Sequence, residues 1–185
     1  MVALALSTGG GCLTSVDGGM IWGMSKAYAA ETHDYTESAT SISGLEGTDK
    51  TGFMSDNKIT LGTEGGATDK PFSTYGTISG GGKKNATADV SNNTLTIHGL
   101  KVSNGGGFSI IYGGISGTGA VTNNRVFFNN GLSKDPIYGG FNGATATKAV
   151  TGNSVTVAGG TVEGDAFGGV TQGTGAVTGN SVTIT

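Results

Sequence analysis

The chain has 185 residues, of which 37 are glycine, and charged residues make up only 12%, about half the usual share. The formal net charge is −3, and Lys83 and Lys84 form the only adjacent basic pair. We therefore expect no nucleic-acid partner, because phosphate binding needs clustered cations. Valine, isoleucine and threonine are abundant, which favours strands over helices. Such a composition also suits a disordered chain, but the regular spacing of the apolar residues argues against disorder.

Residues 1–30 have the features of a partial signal peptide. They end on Ala27-Tyr28-Ala29, a small-x-small pattern that a signal peptidase cleaves, and the chain turns polar and acidic from Glu31. No basic segment precedes the apolar part, so we expect the true start to lie upstream. The alternative is a glycine-rich cap of the folded domain. The single Cys12 excludes an internal disulfide and lacks the leucine of a lipoprotein signal. We assign residues 31–56 to an amino-terminal cap or irregular segment.

A repeat begins at residue 57. One phrase, asparagine followed by x-apolar-x-apolar, occurs five times, with spacings of 36, 31, 29 and 27 residues. Its asparagines are Asn57, Asn93, Asn124, Asn153 and Asn180. The third and fifth residues of each copy lie on one face of a strand, because side chains alternate, and we expect them to face an interior. These ten residues are Ile59, Leu61, Leu95, Ile97, Val126, Phe128, Val155, Val157, Val182 and Ile184.

Two further phrases lie between the asparagine phrases. An aromatic residue followed by a glycine pair occurs at Tyr112-Gly113-Gly114, Tyr138-Gly139-Gly140 and Phe167-Gly168-Gly169, with a degenerate earlier copy around Tyr75. We interpret it as a short strand with a sharp bend, where a side chain would obstruct the neighbouring unit. A short phrase ending in Val-Thr or Val-Ser then leads into each of the last four asparagine phrases.

A unit of about 27 to 30 residues is too small to bury its own apolar face, but stacked units bury one another. We therefore predict an all-β fold, a right-handed parallel β-helix (β-solenoid) over residues 57–185, in which each unit is one rung. The handedness follows from the general preference of parallel crossovers. The asparagine either punctuates a turn, where it tolerates left-handed backbone, or bonds to its copies in neighbouring rungs as an internal ladder. The sequence leaves both roles open.

Residues that carry chemistry are few in the repeat. Glu163 and Asp165 are the only close carboxylate pair between residues 105 and 185, and such a pair can serve a polysaccharide lyase or hydrolase. Solvated turn residues are the simpler interpretation. His33 and His98 each stand alone, the calcium-binding repeat spacing is absent, and we expect no metal or cofactor. Thr-x-Thr pairs suggest ice binding, a third candidate, but they do not recur at the rung period.

The YGG bend, the phrase GTGAVTGNSVTI and the AYAA junction together resemble the passenger regions of Gram-negative autotransporter proteins. The resemblance covers about residues 57–185. It implies a cell-surface or secreted passenger, often an adhesin, which a signal peptide exports and a carboxyl-terminal barrel carries across the outer membrane. No barrel follows here, and Thr185 lies within a strand phrase. We therefore expect a fragment or truncated product with further rungs beyond residue 185, joined to the membrane only through the missing barrel.

The expected function is that of a surface-exposed, adhesin-like scaffold without catalytic activity. Loops such as residues 103–108 and 132–136 would meet host surface or matrix molecules, glycans or other bacterial cells. A carbohydrate-active β-helix enzyme is the alternative. No catalytic residues transfer from the resemblance, because the family motif is a scaffold motif. The residues expected to matter are the repeated scaffold positions: Asn57, Asn93, Asn124, Asn153, Asn180, Gly113, Gly114, Gly139, Gly140, Gly168 and Gly169.

Overall fold

The computed structural model describes two strands at residues 32–35 and 42–45, and then residues 55–62, 64, 72–102 and 110–185. Within these residues the fold is all-β and forms a parallel β-solenoid of about three turns. No described segment is a helix of the length and apolarity that a membrane span needs. The predicted signal peptide and the predicted loop at residues 103–108 lie outside the described residues. The right-handed sense of the solenoid stays a prediction.

The strands of the asparagine phrases form one parallel sheet, which we call the asparagine sheet. Its order follows the chain, so each phrase lies between its predecessor and its successor. The strands in order are β1 (Thr32–Tyr35), β3 (Lys58–Leu61), β7 (Thr94–Ile97), β11 (Arg125–Phe128), β15 (Ser154–Val157) and β19 (Ser181–Ile184).

Three further parallel sheets complete the solenoid. The glycine sheet contains, in order, β17 (Ala166–Thr171), β13 (Ile137–Asn142), β9 (Ile111–Ser116), β4 (Phe72–Ser79) and β2 (Ile42–Leu45), with β5 (Gly82–Lys83) beside β9 and β8 (Leu100–Val102) beside β4. The valine sheet contains β18 (Val177–Thr178), β14 (Val150–Thr151), β10 (Val121–Thr122) and β6 (Val90–Ser91). A two-stranded sheet pairs β12 (Leu132–Ser133) with β16 (Thr161–Val162).

The asparagine phrases stack in register, and the predicted inner face is confirmed for most of them. Val126 pairs with Leu95 on one side and with Val155 on the other. Seven of the ten predicted inner residues are fully buried: Ile59, Leu61, Leu95, Ile97, Val126, Phe128 and Val155. Ile78, Ile111 and Ile137 of the glycine sheet complete this core, and Val157 packs against it partly buried.

The last two predicted inner residues are not buried. Val182 pairs with Val155 and Ile184 with Val157, so both hold inner register positions. They are nevertheless 40% and 76% exposed. The reason is that β19 has a paired strand on one side only, beside β15. The prediction for these two residues is correct in register and wrong in burial.

The earlier copy of the aromatic–glycine phrase is not at Tyr75. Ile78 pairs with Ile111 and Ser79 pairs with Tyr112, which places Gly80 and Gly81 at the positions of the glycine pair. The prediction based on Tyr75 is therefore wrong. Serine replaces the aromatic residue in this rung while both glycines remain. The glycine pair is thus the invariant part of the phrase.

The residue before each ladder asparagine, and not the asparagine itself, has left-handed backbone. Its φ is 62° at Asp56, 58° at Asn92 and 55° at Asn123, and 68° and 63° at the glycines of the last two rungs, Gly152 and Gly179. Asp, Asn and Gly are the residue types that tolerate this region best. A turn is therefore present before each asparagine phrase, and its left-handed residue is not the repeated asparagine.

Candidate functional site

The five repeated asparagines form a continuous hydrogen-bonded ladder along the solenoid. Asn93 donates from its backbone N and from Nδ2 to Oδ1 of Asn124, at 3.1 and 2.7 Å. The same pair of bonds recurs from Asn57 to Asn93, from Asn124 to Asn153 and from Asn153 to Asn180. Of the two roles that the sequence leaves open, these bonds are those of the ladder.

The ladder uses the whole hydrogen-bonding capacity of an internal side-chain amide. Asn153 accepts two bonds at Oδ1 and donates from Nδ2 to Oδ1 of Asn180 and to the carbonyl of Val121, each at 2.9 Å. Its side chain is fully buried. A buried amide left unpaired costs about 1–3 kcal/mol, so a complete set of partners is what makes this column tolerable inside the solenoid.

The glycine pairs make room for the ladder. An added Cβ at Gly114 would lie 2.5 Å from Cγ of Asn124, and one at Gly140 would lie 2.5 Å from Cγ of Asn153. The first glycine of each pair faces the next rung instead, since a Cβ at Gly113 would overlap the carbonyl oxygen of Gly139. The asparagine and the glycine pair of one rung are therefore two halves of one packing unit.

An aromatic stack runs along the outside of the glycine pairs. The rings of Tyr112 and Tyr138 lie 5.1 Å apart at 12°, and those of Tyr138 and Phe167 lie 5.2 Å apart at 11°. Phe141, three residues after Tyr138 in the same strand, still contacts its ring at 5.4 Å. In a straight strand residues i and i+3 face opposite sides, so the backbone bends at the glycine pair as predicted. Burial, followed by the charge of Asp165, raises the pKa of Tyr138.

The predicted carboxylate pair lies in an exposed turn. Glu163 and Asp165 are both exposed, and Gly164 between them packs tightly against the backbone of Asp135 in the preceding rung. The backbone N of Glu163 donates to the carbonyl of Ser133 at 2.8 Å. This turn stacks on the predicted loop at residues 132–136. Within the described part of the chain, no three His, Cys, Asp or Glu side chains are grouped so as to hold a metal ion.

A surface ion pair joins the loops of two rungs that are not adjacent. Asp89 accepts from Nζ of Lys148, two rungs further on, at 2.7 Å and from the backbone N of Ala120, in the rung between, at 2.9 Å. The hydrogen bond from Lys148 and that from Ala120 lower the pKa of Asp89. Both side chains of the ion pair are more than half exposed, so the bridge ties surface loops and not the core.

The outward face of the asparagine sheet is a surface of repeated character. Its outward positions are the second and fourth residues of each asparagine phrase. Serine and threonine fill most of them: Thr60, Thr94, Thr96, Ser154, Thr156, Ser181 and Thr183. Lys58, Arg125 and Phe127 are the exceptions. Sequence reasoning did not single out Arg125 and Phe127, although their departure from the repeat was visible in the aligned phrases.

No protein-family model matches this sequence, no curated protein is significantly similar to it, and no solved structure is significantly similar to its fold. The class that the fold defines is the parallel β-solenoid with an internal asparagine ladder. The surface of this solenoid is therefore the feature that can indicate its function.

Proposed function

We propose that the protein is a non-catalytic display scaffold of the autotransporter-passenger type, located on the cell surface or secreted. The observation that carries this proposal is that, within each rung, the residues that build the scaffold are separate from the residues that vary. The residues that recur in the rungs contact one another, as the ladder asparagine does the glycine pair, and they have no reactive group to offer. The residues that vary between rungs are in the loops, together with Lys58, Arg125 and Phe127 on the outward face of the asparagine sheet.

The loops support this division because they differ in length at one position of the rung. The connections into the valine sheet span residues 84–89, 117–120, 143–149 and 172–176. The strands on either side keep their register throughout. A scaffold that tolerates such changes can present different surfaces at no cost to its core, because loop length affects stability only weakly.

The cellular location can be tested by labelling intact bacteria. An epitope inserted between Thr145 and Ala146, in the longest of these loops, should be detected on unpermeabilised cells and removed by added protease. The same epitope on a cytoplasmic control protein should stay protected. An epitope that becomes detectable only after permeabilisation would contradict surface display.

The absence of catalysis needs a separate assay, because a carbohydrate-active enzyme is the competing hypothesis. We expect no turnover when the protein is incubated with a panel of acidic and neutral polysaccharides and the products are sized. Turnover that is abolished by Glu163→Gln or Asp165→Asn would identify an enzyme, since these exposed acids are the closest carboxylate pair of the repeat. Turnover that survives both changes would also contradict the proposed scaffold.

A further inference from the structure

The asparagine sheet carries two columns of outward side chains. One column contains Lys58 and Arg125, separated by Thr94, and the other contains Phe127 between Thr96 and Thr156. Strands of a sheet are about 4.8 Å apart, so Lys58 and Arg125, two strands apart, carry their charges at a repeat of roughly 10 Å. Within the described strands β3 to β19, these outward positions contain no acid.

The Asn124 rung departs from the repeat on this face alone. Its inner residues, Val126 and Phe128, are apolar and fully buried like those of the other rungs. Its outer residues are Arg125, which is exposed, and Phe127, which is half-buried. In the next rung, serine and threonine occupy these two positions and the strands still pair in register. The scaffold therefore does not require the arginine or the phenylalanine.

An arginine beside a surface aromatic ring is a composition typical of binding patches. The hydroxyl columns on either side offer donors and acceptors at a regular spacing. The flanking acids are few: Asp56 lies at the edge of the face and accepts from Nδ2 of Asn92 at 3.0 Å, and the register places Asp34 opposite Thr60 in the outermost strand.

We propose that this face binds a linear acidic polysaccharide lying across the strands. Arg125 and Lys58 would contact carboxylate groups on successive repeats of the polymer, and Phe127 would pack against the C–H face of a sugar ring, which the negative face of an aromatic ring attracts. The hydroxyl columns would bond to the sugar hydroxyls. The inference rests on the proposed surface display for access to the polymer, whereas binding itself is measured on the purified protein.

Two other partner classes fit the face less well. A stable protein partner usually buries about 800 Å² on each side around an apolar centre, and a single half-buried phenylalanine supplies little of that. A nucleic acid needs clustered cations, and the chain carries a net charge of −3. A hydroxyl-lined sheet surface with widely spaced cations suits a sugar polymer better than either.

The test uses isothermal titration calorimetry of the full chain with a hexamer of galacturonate. Its fully methyl-esterified form is the neutral probe, and a single-stranded DNA hexamer is the nucleic-acid probe. R125S and F127T are suitable variants because they install residue types that other rungs carry at the same positions, Ser154 and Thr156. K83S removes a cation of β5 in the glycine sheet, outside this face and outside the loops expected to meet a partner. It installs the residue type of the paired Ser116 and serves as the matched control. Unchanged thermal melting of all three variants verifies the fold.

We expect R125S to weaken binding of the acidic hexamer about tenfold, as for the loss of a charge-assisted hydrogen bond. F127T should weaken it about fivefold, from the range known for aromatic contacts. K83S should leave it unchanged, the ester should bind at least tenfold more weakly, and added salt should weaken only the acidic hexamer.

The proposal is overturned if the wild-type protein does not bind the acidic hexamer, if the ester binds equally well, or if K83S lowers affinity as much as R125S does. Tighter binding of the DNA hexamer would also overturn it in favour of a nucleic-acid partner. None of these results depends on the labelling of intact cells, so failure of the binding face and failure of surface display are distinguishable.

Discussion

The Asn153 and Asn180 rungs begin with the same four residues, Asn-Ser-Val-Thr, yet they differ in burial and in hydrogen-bond partners. Val155 is fully buried, whereas Val182 at the same register position is 40% exposed. Asn153 has ladder partners in the rungs on both sides, whereas Asn180 is bonded to the preceding rung and to the carbonyl of Val150. Burial in a solenoid is thus conferred by the neighbouring rung and not by the phrase itself.

This comparison predicts that identical substitutions in the two rungs have unequal effects. Asn153 and Val155 are fully buried, whereas Asn180 and Val182 are partly exposed, so a side chain removed from the Asn153 rung loses more than its counterpart in the Asn180 rung. We expect these differences in the free energy of unfolding, measured by urea titration of the full chain.

The largest difference is expected for the ladder itself. Asn153→Leu leaves the backbone N of Asn124 and the carbonyl of Val121 without these partners in the interior, and it removes one of the two bonds that Nδ2 of Asn124 donates. Unpaired buried groups cost about 1–3 kcal/mol each, so we expect a loss of about 3–5 kcal/mol. Asn180→Leu should cost about 1–2 kcal/mol, because Asn180 is only half-buried and its bonds with Asn153 and Val150 are only partly shielded from water. Equal losses for the two variants would contradict the comparison.

Steric room for the ladder gives the next difference. In Gly140→Ala the new Cβ would lie 2.5 Å from Cγ of the fixed Asn153, and overpacking of this kind costs about 1–3 kcal/mol. Gly169→Ala makes the same 2.5 Å contact with Asn180. The smaller loss is expected there, since Asn180 has a rung on one side only and can shift. The matched control is Gly99→Ala, where an added Cβ meets nothing within 4 Å. A loss at residue 99 as large as that at residue 140 would point to an effect of alanine as such.

The apolar core should show the same asymmetry. Val155→Ala should cost about 2 kcal/mol, because a fully buried side chain loses its packing, and Val182→Ala should cost less than about 1 kcal/mol. Unchanged denaturant slopes would show that neither variant alters the extent of unfolding. The asymmetry would be refuted by a Val182→Ala loss that matches the loss at residue 155.

The smallest effect is expected at the surface bridge between Asp89 and Lys148. The pKa of Asp89 is lowered in the folded state, so its contribution is present above the ordinary pKa of aspartate and is lost as pH falls through the folded pKa. Because both groups are more than half exposed, we expect only about 0.2–1 kcal/mol between wild type and Asp89→Asn at pH 7 and low salt. The difference should disappear between about pH 4 and pH 2. A difference that persists at pH 2 would exclude the ion pair as its cause.

Much of the scaffold was predictable because it depends on local periodicity. Alternation in the asparagine phrases placed seven separate residues, the first Ile59 and the last Val155, on an inner face, and all seven are buried in the structure. The glycine pairs were recognised as positions where a side chain would obstruct a neighbour, and the contacts of Gly113 and Gly140 agree. Spacing of the asparagines also indicated which copies would meet, since the bonded pairs are 36, 31, 29 and 27 residues apart.

The errors arose where one phrase had to be aligned with another without three-dimensional register. Tyr75 has the expected sequence neighbours, but the strand pairing places Ser79 opposite Tyr112. The sequence also left open whether the repeated asparagine is the left-handed residue of its turn, because turn preference alone does not separate two adjacent polar positions; the structure places the left-handed residue one position earlier. The outward pair Arg125 and Phe127 was overlooked because alternation assigns these positions to the outer face whatever residues fill them.

The sequence by itself determined the all-β class, the stacking of repeats and the inner and outer positions of each asparagine phrase, because these follow from a period of two within a strand and a repeat of the whole phrase. Only the tertiary structure decided which equivalent residues are buried, that the asparagine packs against its own glycine pair, and that Asp89 reaches Lys148, 59 residues away. These features depend on which rung lies beside which and on how long the loops between them are. Neither quantity is encoded in any single repeat.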